Sequence, residues 1–347
     1  MACQLDALPP ELHNEFVHQL ATDQQKVLPL SQCNRYWRNL CLPFIFSRMA
    51  IGNESNTVLE RFIADIASPH GHLIKDLDLY FPHPMEYVEQ DILGAQPDCC
   101  MNCEASAYQK WRVQRDEVIR ELFSNLTELS LIHINFEDGS IIAYNQRTFN
   151  QSFPALTRTS SRIQAITLDG FEAASLLEFI SYPETITSFV IRCTDEIVHQ
   201  LPENIWPKTL STNITNLEVS GYCWSIPDVV HIIRSSGGLR SIRKIKLGWR
   251  ANVDVDLPAL VALLSALTPT LHMISLAFET NASLVQTGGF LDTIQFPKTF
   301  EHLILSTNSL LHTEFDALFN VFRGCDIIRF RFGGDILSRA LFEKIVT

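Results

Sequence analysis

A short apolar phrase, φ-x-x-φ-x-φ with φ an apolar residue, recurs along this 347-residue chain and constrains its fold more than any other feature. Its copies are Phe46/Met49/Ile51, Ile74/Leu77/Leu79, Leu126/Leu129/Leu131, Ile163/Ile166/Leu168, Ile186/Phe189/Ile191, Ile214/Leu217/Val219, Ile242/Ile245/Leu247, Leu271/Ile274/Leu276, Phe300/Leu303/Leu305 and Cys325/Ile328/Phe330. From Phe189 to Leu303, four consecutive steps between middle residues are 28 or 29 residues long. Periods of this size mark arrays, in which one unit buries its apolar face only against a neighbour. The regular steps therefore predict a solenoid rather than unrelated strand–helix units that happen to fall in step.

Each unit contains a strand half and a helix half. The φ-x-φ core alternates, so both apolar side chains of a strand point to one face and the residues between them to the other. Helical stretches follow most strands, with apolar residues three and four apart. The clearest of these stretches is Leu260, Leu263, Leu264 and Leu267. We predict an α/β fold built of strand–helix repeats around a parallel sheet.

This alternation resembles the longer leucine-rich repeats of the ribonuclease-inhibitor-like kind, over roughly residues 45–347. The resemblance implies that the parallel sheet lines a concave face. The family's Asn after the strand is mostly missing, and Asn308 is the best match. A longer step between Leu77 and Leu129 predicts an insertion at about residues 81–105.

The first 45 residues carry no complete copy of the phrase and predict three short helices. Pro10 suits the first turn of a helix, where a missing amide hydrogen costs nothing. That helix has one apolar stripe, formed by Leu12, Phe16, Val17 and Leu20. We expect Pro29 to interrupt a second helix, and Pro43 to close a third that begins at about Leu30.

Several positions of this segment match a known small domain. The matching positions are Leu8, Pro9, Glu11, Leu12, Phe16, Leu20, Asp23, Cys33, Arg35 and Trp37. They resemble the F-box, so we predict an F-box over residues 1–45 and a leucine-rich-repeat domain over 46–347. The alternative is a plain helical cap, which the exposed apolar end of a solenoid also requires.

The resemblance implies a substrate receptor of a ubiquitin ligase of the Skp–cullin–F-box type. The F-box would bind the small Skp-family adaptor, and through it a cullin, while the repeats hold a target protein. The chain itself would perform no bond chemistry and need no cofactor. By motif position the adaptor-facing residues are Leu8, Pro9, Leu12, Phe16, Leu20, Val27, Leu30 and Trp37. Trp37 could equally pack inside the protein.

Target recognition is expected on the strand residues that lie between the apolar pairs, among them Glu128 and Ser130 on the third strand. The early strands are acidic and the later ones basic, which predicts a target of complementary charge. The candidate target-binding residues are Arg192, Glu218, Lys244, Lys246, Trp249, Arg250, Arg329 and Arg331. The aromatic residues of this region could instead pack within their loops.

Composition excludes several classes of function. A net charge of -12 argues against nucleic acid and against an anionic membrane surface as the main partner. We expect no secretory signal, because the first residues include Asp6 and have no basic region before an apolar run. The most apolar stretch, Pro258 to Pro269, is too short to span a bilayer. Nine scattered cysteines favour a reducing compartment, so we expect a cytoplasmic or nuclear protein.

Three clustered thiols leave a rival interpretation open. Cys99, Cys100 and Cys103 could begin a zinc site, but no second ligand pair follows at zinc spacing, so we predict a loop of reduced thiols and no metal. We find no phosphate-binding glycine loop and no nucleophile elbow. The two other functions left open are a repeat scaffold that never joins a ligase and an enzyme that uses the cysteine loop.

Overall fold

A computed structural model describes most of the N-terminal third of the chain and the strands beyond it. The described residues are 9–21, 24–52, 55–81, 101–136, 156, 162–169, 185–193, 213–221, 241–249, 254–267, 271–278, 283–285, 299–307, 314, 317–318, 321–322 and 326–333. The chain divides into two compact units, residues 1–135 with 151–163 and residues 136–150 with 164–347. The boundary expected after residue 45 falls inside the first unit and stays a prediction.

The first unit opens with three helices, α1 (Pro10–Leu20), α2 (Gln24–Ser31) and α3 (Arg35–Ile45). Helix α1 has proline at its first position, as its sequence predicts. Helix α3 starts at Arg35 because the side chain of Asn34 accepts a hydrogen bond from the Trp37 amide at 3.0 Å, which satisfies a free donor of the first turn. The three helices share a core of Val17, Val27, Leu30, Trp37 and Cys41.

Two of the expected helix ends are wrong. Helix α2 runs through Pro29 to Ser31, and α3 runs through Pro43 to Ile45, having begun five residues later than Leu30. Proline removes one backbone hydrogen bond and disfavours helix in the residue before it, but its own φ suits a helix. The packing of α2 against α3 compensates for the stabilisation lost with these hydrogen bonds, because tertiary packing dominates the stability of such short helices.

Strands and helices then alternate through the rest of the first unit. The elements are β1 (Arg48–Ile51), α4 (Asn56–Phe62), a π-turn (Ile63–Ala67), α5 (Ser68–His70), a 3-10 turn (Gly71–Leu73), β2 (Asp76–Phe81), α6 (Met101–Asn125) and β3 (Leu131–Phe136). The strands lie in the order β1-β2-β3. Strands β1 and β2 are parallel, with Met49 opposite Leu77 and Ile51 opposite Leu79, as the repeated phrase predicts.

Polar side chains join helix α6 to α4. Buried Arg115 donates to the side-chain oxygen of Asn56 at 3.4 Å, and Gln114 donates to Glu60 at 2.8 Å. Val118, Ile119, Leu122 and Phe123 of α6 are buried. The insertion expected at about 81–105 lies mostly outside the described residues, which resume at the start of this helix.

The third copy of the apolar phrase lies three residues later than predicted. Leu131, expected to be buried, is 42% exposed and begins β3. The buried strand residues are Ile132 and Ile134, and buried Leu129 takes the first apolar position of the phrase, two residues before the strand. The assignment of Glu128 and Ser130 to the strand is therefore wrong.

Backbone hydrogen bonds explain the true phase. The amides of Ser130 and Leu131 both donate to the carbonyl of Lys75, at 2.8 and 3.0 Å. The same fork, with two adjacent amides on one carbonyl, joins the start of β2 to Ser47. The neighbouring strand thus selects one phase among the apolar residues crowded between 126 and 134.

The described part of the second unit contains nine strands, one helix with both ends described, and helical residues at 314, 317, 318 and 321. The strands and this helix are β4 (Ala165–Asp169), β5 (Ser188–Cys193), β6 (Asn216–Gly221), β7 (Lys244–Trp249), β8 (Asp254–Asp256), α7 (Leu257–Leu267), β9 (Met273–Phe278), β10 (Ser283–Val285), β11 (Thr299–Thr307) and β12 (Asp326–Gly333). Seven of the strands form a parallel sheet in the order β4-β5-β6-β7-β9-β11-β12, while β8 and β10 pair separately. The prediction of an α/β fold with a parallel sheet is confirmed.

The apolar positions of successive strands lie side by side, as the regular steps predict. One row is Ile166, Phe189, Leu217, Ile245, Ile274 and Leu303, and every member is buried. The stripe predicted on α7 is also confirmed, since Leu260, Leu263, Leu264 and Leu267 are buried. Over the described ranges, no helix combines the length and the apolar composition needed to cross a bilayer.

The last copy of the phrase lies two residues later than predicted. Leu303 and Leu305 of β11 pair with Phe330 and Phe332 of β12, so Ile328 does not hold the middle position. A slip by an even number of residues leaves each side chain on its original face, because side chains alternate with period two. The prediction that Arg329 and Arg331 lie on the face opposite the apolar pairs is unaffected.

Candidate interaction surfaces

Three of the residues predicted to face an adaptor form the core of the helical segment. Val27 and Trp37 are fully buried, and Leu30 is nearly so. The centroid of the Trp37 ring lies 4.7 Å from that of His13 and 6.4 Å from that of Phe16, so Trp37 joins α3 to α1. These three side chains therefore hold the helices together and offer no surface as the segment stands.

The remaining predicted adaptor residues are at or near the surface. Pro9 is exposed, Leu12 is 49% exposed, and Phe16 and Leu20 are half-buried. Leu8 lies outside the described residues.

Sequence reasoning missed two further apolar side chains, Leu28 at 45% and Tyr36 at 48% exposure. The helical period could have found Leu28, since it follows core residue Val27 by a single residue and so turns away from the core.

A polar contact ties two of the helices together beside this surface. His13 Nδ1 lies 2.8 Å from the hydroxyl of Tyr36, and their rings meet edge to face. The contact links α1, which carries Leu12, to α3 and holds the exposed Tyr36 ring in place.

Deeper in the core, burial and then the nearby Cys33 raise the pKa of the Cys41 thiol, so it stays protonated and is a poor nucleophile.

Charged side chains cross the strands of the first unit on the face opposite the apolar pairs. Arg48 on β1 lies 3.7 Å from Asp76 and 3.2 Å from Asp78 of β2, and His133 of β3 lies 3.1 Å from Asp78. The hydrogen bond and charge of Asp78, with the charge of Asp76, raise the pKa of Arg48. Burial raises the pKa of Asp76, and the adjacent Asp78 adds to this against the opposing effect of Arg48.

Glu128 and Ser130 hold positions ahead of β3 rather than on its exposed face. Glu128 accepts a charged hydrogen bond from Arg162. The hydroxyl of Ser130 donates to the carbonyl of Lys75 at 2.9 Å, beside the fork that fixes the strand. Both side chains therefore have structural partners in the first unit.

A second chain of charges crosses four strands of the second unit. Arg192 on β5 donates to Asp169 of β4 at 3.0 Å and to Glu218 of β6 at 3.3 Å, and Lys246 of β7 donates to the same Glu218 at 3.0 Å. Burial lowers the pKa of Arg192, but the two carboxylates outweigh it, so the pKa is raised overall. We call Asp169, Arg192, Glu218 and Lys246 the charge ladder. Two of the predicted target residues, Arg192 and Glu218, thus neutralise each other.

Strands β7 and β12 carry bases that are aligned with one another through the two strands between them. Lys244 aligns through Met273 and His302 with Arg329, and Lys246 aligns through Ser275 and Ile304 with Arg331. We call Lys244, Lys246, Arg329 and Arg331, which are all exposed, the basic face. The sequence predicted these four residues as target-binding, and the sheet brings them onto two adjacent rows.

Trp249, the aromatic candidate for target binding, is buried. It lies at the end of β7, stacked on Phe278 with ring centroids 5.1 Å apart, and both are almost fully covered. At the matching position of β6, Gly221 has a φ of 141°, a conformation that favours glycine at this strand end. The structure therefore supports the packing alternative for Trp249. The candidate Arg250 lies outside the described residues.

The cysteines that could begin a metal site, Cys99, Cys100 and Cys103, lie outside the described side chains. Within the part of the chain that is described, no group of three or more His, Cys, Asp or Glu side chains is placed to hold a metal ion. Comparison with protein-family models and with curated proteins found no match to this chain.

Proposed function

We propose that this chain is the substrate receptor of a Skp–cullin–F-box ubiquitin ligase. Its N-terminal helices would act as an F-box, and the strand–helix repeats as a leucine-rich-repeat domain that holds a target protein. The observation that carries the proposal is a segment of three short helices with its own core that leaves large apolar side chains exposed. The residues of that segment resemble the F-box, and its exposed apolar side chains are available to contact a partner protein.

The adaptor half of the proposal depends on Leu12, Leu28 and Tyr36. Each is about half exposed, one on each helix of the segment. Exposed apolar groups mark interaction sites when they cluster, and short amphipathic helices commonly meet a partner through such anchors. We propose that Pro9, Leu12, Phe16 and Leu20 contact the adaptor, together with Leu28 and Tyr36, and that Val27, Leu30 and Trp37 position the helices that present them.

The target half of the proposal depends on the charged face of the parallel strands. A receptor accelerates ubiquitin transfer by holding the acceptor lysine of its target near the ubiquitin-loaded conjugating enzyme. This makes a bimolecular step effectively intramolecular. Such a role requires a rigid binding surface and no catalytic group on the receptor. Neighbouring parallel strands with exposed charged side chains suit this requirement.

A direct test measures binding of the purified chain to a purified Skp-family adaptor by calorimetry. We expect a Leu12→Ser/Leu28→Ser double variant to weaken binding about tenfold or more, because truncation of buried anchors typically costs 2 kcal/mol or more. The matched control is Val113→Ser/Leu131→Ser, which removes two comparably exposed apolar side chains outside the three helices. The control should bind as the unmodified chain does.

Two outcomes would overturn the ligase proposal. One is that the unmodified chain does not bind the adaptor. The other is that the control double variant loses as much affinity as Leu12→Ser/Leu28→Ser. A Leu8→Ala/Pro9→Ala variant extends the test to the first motif positions, and its unchanged recovery of adaptor would remove those two residues from the site.

A repeat scaffold that never joins a ligase is the second candidate, and the burial of Val27, Leu30 and Trp37 favours it equally. A plain helical cap needs such a core and needs no adaptor. Affinity purification with mass spectrometry, before and after deletion of residues 1–45, distinguishes the two. A ligase receptor recovers adaptor and cullin only when these residues are present, whereas a scaffold recovers neither in either case.

A further inference from the structure

We propose that the basic face binds an acidic, extended segment of a partner protein. The proposal deepens the target-binding half of the proposed function by naming the chemistry of the target. It depends on where bases lie relative to acids on one sheet face, since four basic side chains occupy the two rows that run from β7 to β12.

The first observation is a difference within the sheet. From β4 to β7 the charge ladder alternates acid and base, and each base there lies within 3.3 Å of a carboxylate. In the two aligned rows from β7 to β12, the described side chains are Lys244, Met273, His302 and Arg329 in one row, and Lys246, Ser275, Ile304 and Arg331 in the other. None of these eight side chains is acidic. Lys246 belongs to both regions, since it donates to Glu218 and its side chain is 47% exposed.

The second observation is that this accumulation of bases occurs in a chain of net charge -12. Like charges placed side by side repel one another, and a partner of opposite charge relieves that cost on binding. Complementary potentials also speed the encounter and reject partners of the wrong sign. The basic face therefore selects for acidic segments among the surfaces of other proteins.

The spacing of the face sets the form of the ligand. Three strand-to-strand steps separate β7 from β12, which is about 14 Å at the usual spacing of paired strands. An extended peptide covers that distance in about four residues. Between the two ends lie half-buried Met273 and Ile304, which can pack against an apolar side chain. The ligand is therefore a peptide with two acidic groups about four residues apart and an apolar residue between them.

Single-stranded nucleic acid fits the same face less well. Such ligands bind by stacking bases on aromatic side chains along a basic groove. The aromatic side chains at the ends of β7 and β9, Trp249 and Phe278, are stacked on each other and buried. The negative charge of the whole chain also opposes a long polyanion. A short acidic peptide meets neither obstacle.

The test measures fluorescence anisotropy of a labelled peptide with the full-length chain. The probe carries two pairs of glutamates about four residues apart, with leucine and serine between them. We expect the double variants Lys244→Ser/Lys246→Ser and Arg329→Ser/Arg331→Ser each to weaken binding about tenfold or more, since each removes the charge at one end of the site. A probe with glutamine in place of glutamate should not bind, and added salt should weaken binding of the acidic probe.

The matched control is Arg48→Ser/Arg162→Ser, which removes two exposed bases from the first unit. Its net charge changes by the same amount, so we expect less than about a twofold loss of affinity. Circular dichroism of every variant checks that the fold is kept. Equal loss in the control, equal binding of the glutamine probe, or tighter binding of a single-stranded uridine oligonucleotide would each overturn the proposal.

Failure of this inference can be told apart from failure of the ligase proposal. Adaptor binding is measured on the same variants of the basic face, and it should be unchanged. If the acidic probe does not bind while adaptor binding persists, the inference alone is overturned. If the adaptor does not bind while the acidic probe does, the ligase proposal is overturned and the basic face stands.

Discussion

The three N-terminal helices and the parallel strands of the second unit bury their apolar side chains in different ways. In the helices, five buried side chains from three elements meet in one cluster around Trp37. In the strands, equivalent apolar side chains line up in rows, and each row extends over neighbouring strands. The helical core is thus concentrated at one residue, whereas the core of the strands is distributed.

The exposed faces of the two regions also differ, since one is apolar and the other is charged. The helices expose Leu12, Leu28 and Tyr36, whereas the strands expose charged residues such as Lys244 and Arg329. Apolar contact depends little on salt. Salt weakens the attraction between exposed charges, with a screening length of about 10 Å at 0.1 M. One chain therefore offers two kinds of surface, and each should respond differently to the same conditions.

The largest effect that sharpens this comparison is expected from Trp37→Ala. Removing the fully buried ring leaves a cavity that all three helices line, and such changes cost about 3–5 kcal/mol. Amide hydrogen exchange of Pro10–Ile45 should accelerate throughout the three helices. The matched control is Leu28→Ala, which truncates a side chain that is 45% exposed on α2 and should change exchange little. Similar acceleration in both variants would contradict the concentrated core.

A buried strand residue should give a smaller and more local effect. We expect Leu247→Ala to destabilise the second unit by about 2–5 kcal/mol, within the range for a buried leucine. Exchange should accelerate most in β7 and in its neighbours β6 and β9, because apolar contacts in the sheet run from strand to strand. Lys246→Ala, one residue away on the opposite face, is the control. Uniform acceleration from β4 to β12 would show that this core is not distributed.

The charge ladder should contribute less than either core. Glu218→Gln removes the carboxylate that bridges Arg192 and Lys246, and we expect a loss of about 1 kcal/mol in the free energy of unfolding. Denaturant unfolding at low and at high salt measures it. The difference between variant and unmodified chain should shrink at high salt, since these groups are partly exposed. A loss that salt does not change would mean that the glutamate acts through packing.

The smallest effects are expected from the paired acids of β2. Asp78 accepts from Arg48 and lies beside His133, so Asp78→Asn should destabilise the fold. Asp76→Asn should be neutral or slightly stabilising, because burial raises the pKa of Asp76 and so disfavours its charged form in the folded state. Unfolding measurements at neutral pH compare the two variants, and greater destabilisation by Asp76→Asn would contradict this assignment.

The pH dependence of Asp76→Asn provides a further check. The folded state binds the Asp76 proton more tightly than the unfolded state does. The contribution of Asp76 to stability is therefore full below its unfolded pKa of about 3.9 and is lost as pH rises through the higher folded value. The advantage of Asp76→Asn over the unmodified chain should thus be largest at neutral pH and shrink on acidification.

Much of the strand pattern could be predicted because it depends on neighbours in sequence. Residues such as Leu217 and Val219 are buried and Glu218 between them is not, as alternation along a strand requires. The phase of β3 could not be predicted in the same way. Leu129, Leu131, Ile132 and Ile134 permit more than one alternating choice, and the hydrogen bonds to Lys75 select among them.

The candidate surfaces were less predictable than the strands. Motif position marked Trp37 as an anchor and residue type marked Trp249 as a hot spot, yet both rings are buried. A large aromatic ring gains stability by burial in a core as readily as at an interface, and its own sequence neighbourhood does not distinguish the two.

Spacing along the chain was enough to indicate a parallel sheet, the face that most of its strands bury and three helices ahead of it. These are local properties, because a strand repeats every two residues and a helix every 3.6. Which charges neutralise one another was not available from spacing. The pairing of Arg192 with Asp169 and Glu218, and the absence of an acid among the described side chains aligned between Lys244 and Arg329, follow from strand register. Register is set by hydrogen bonds between residues distant in sequence, so it emerges only when the strands are assembled.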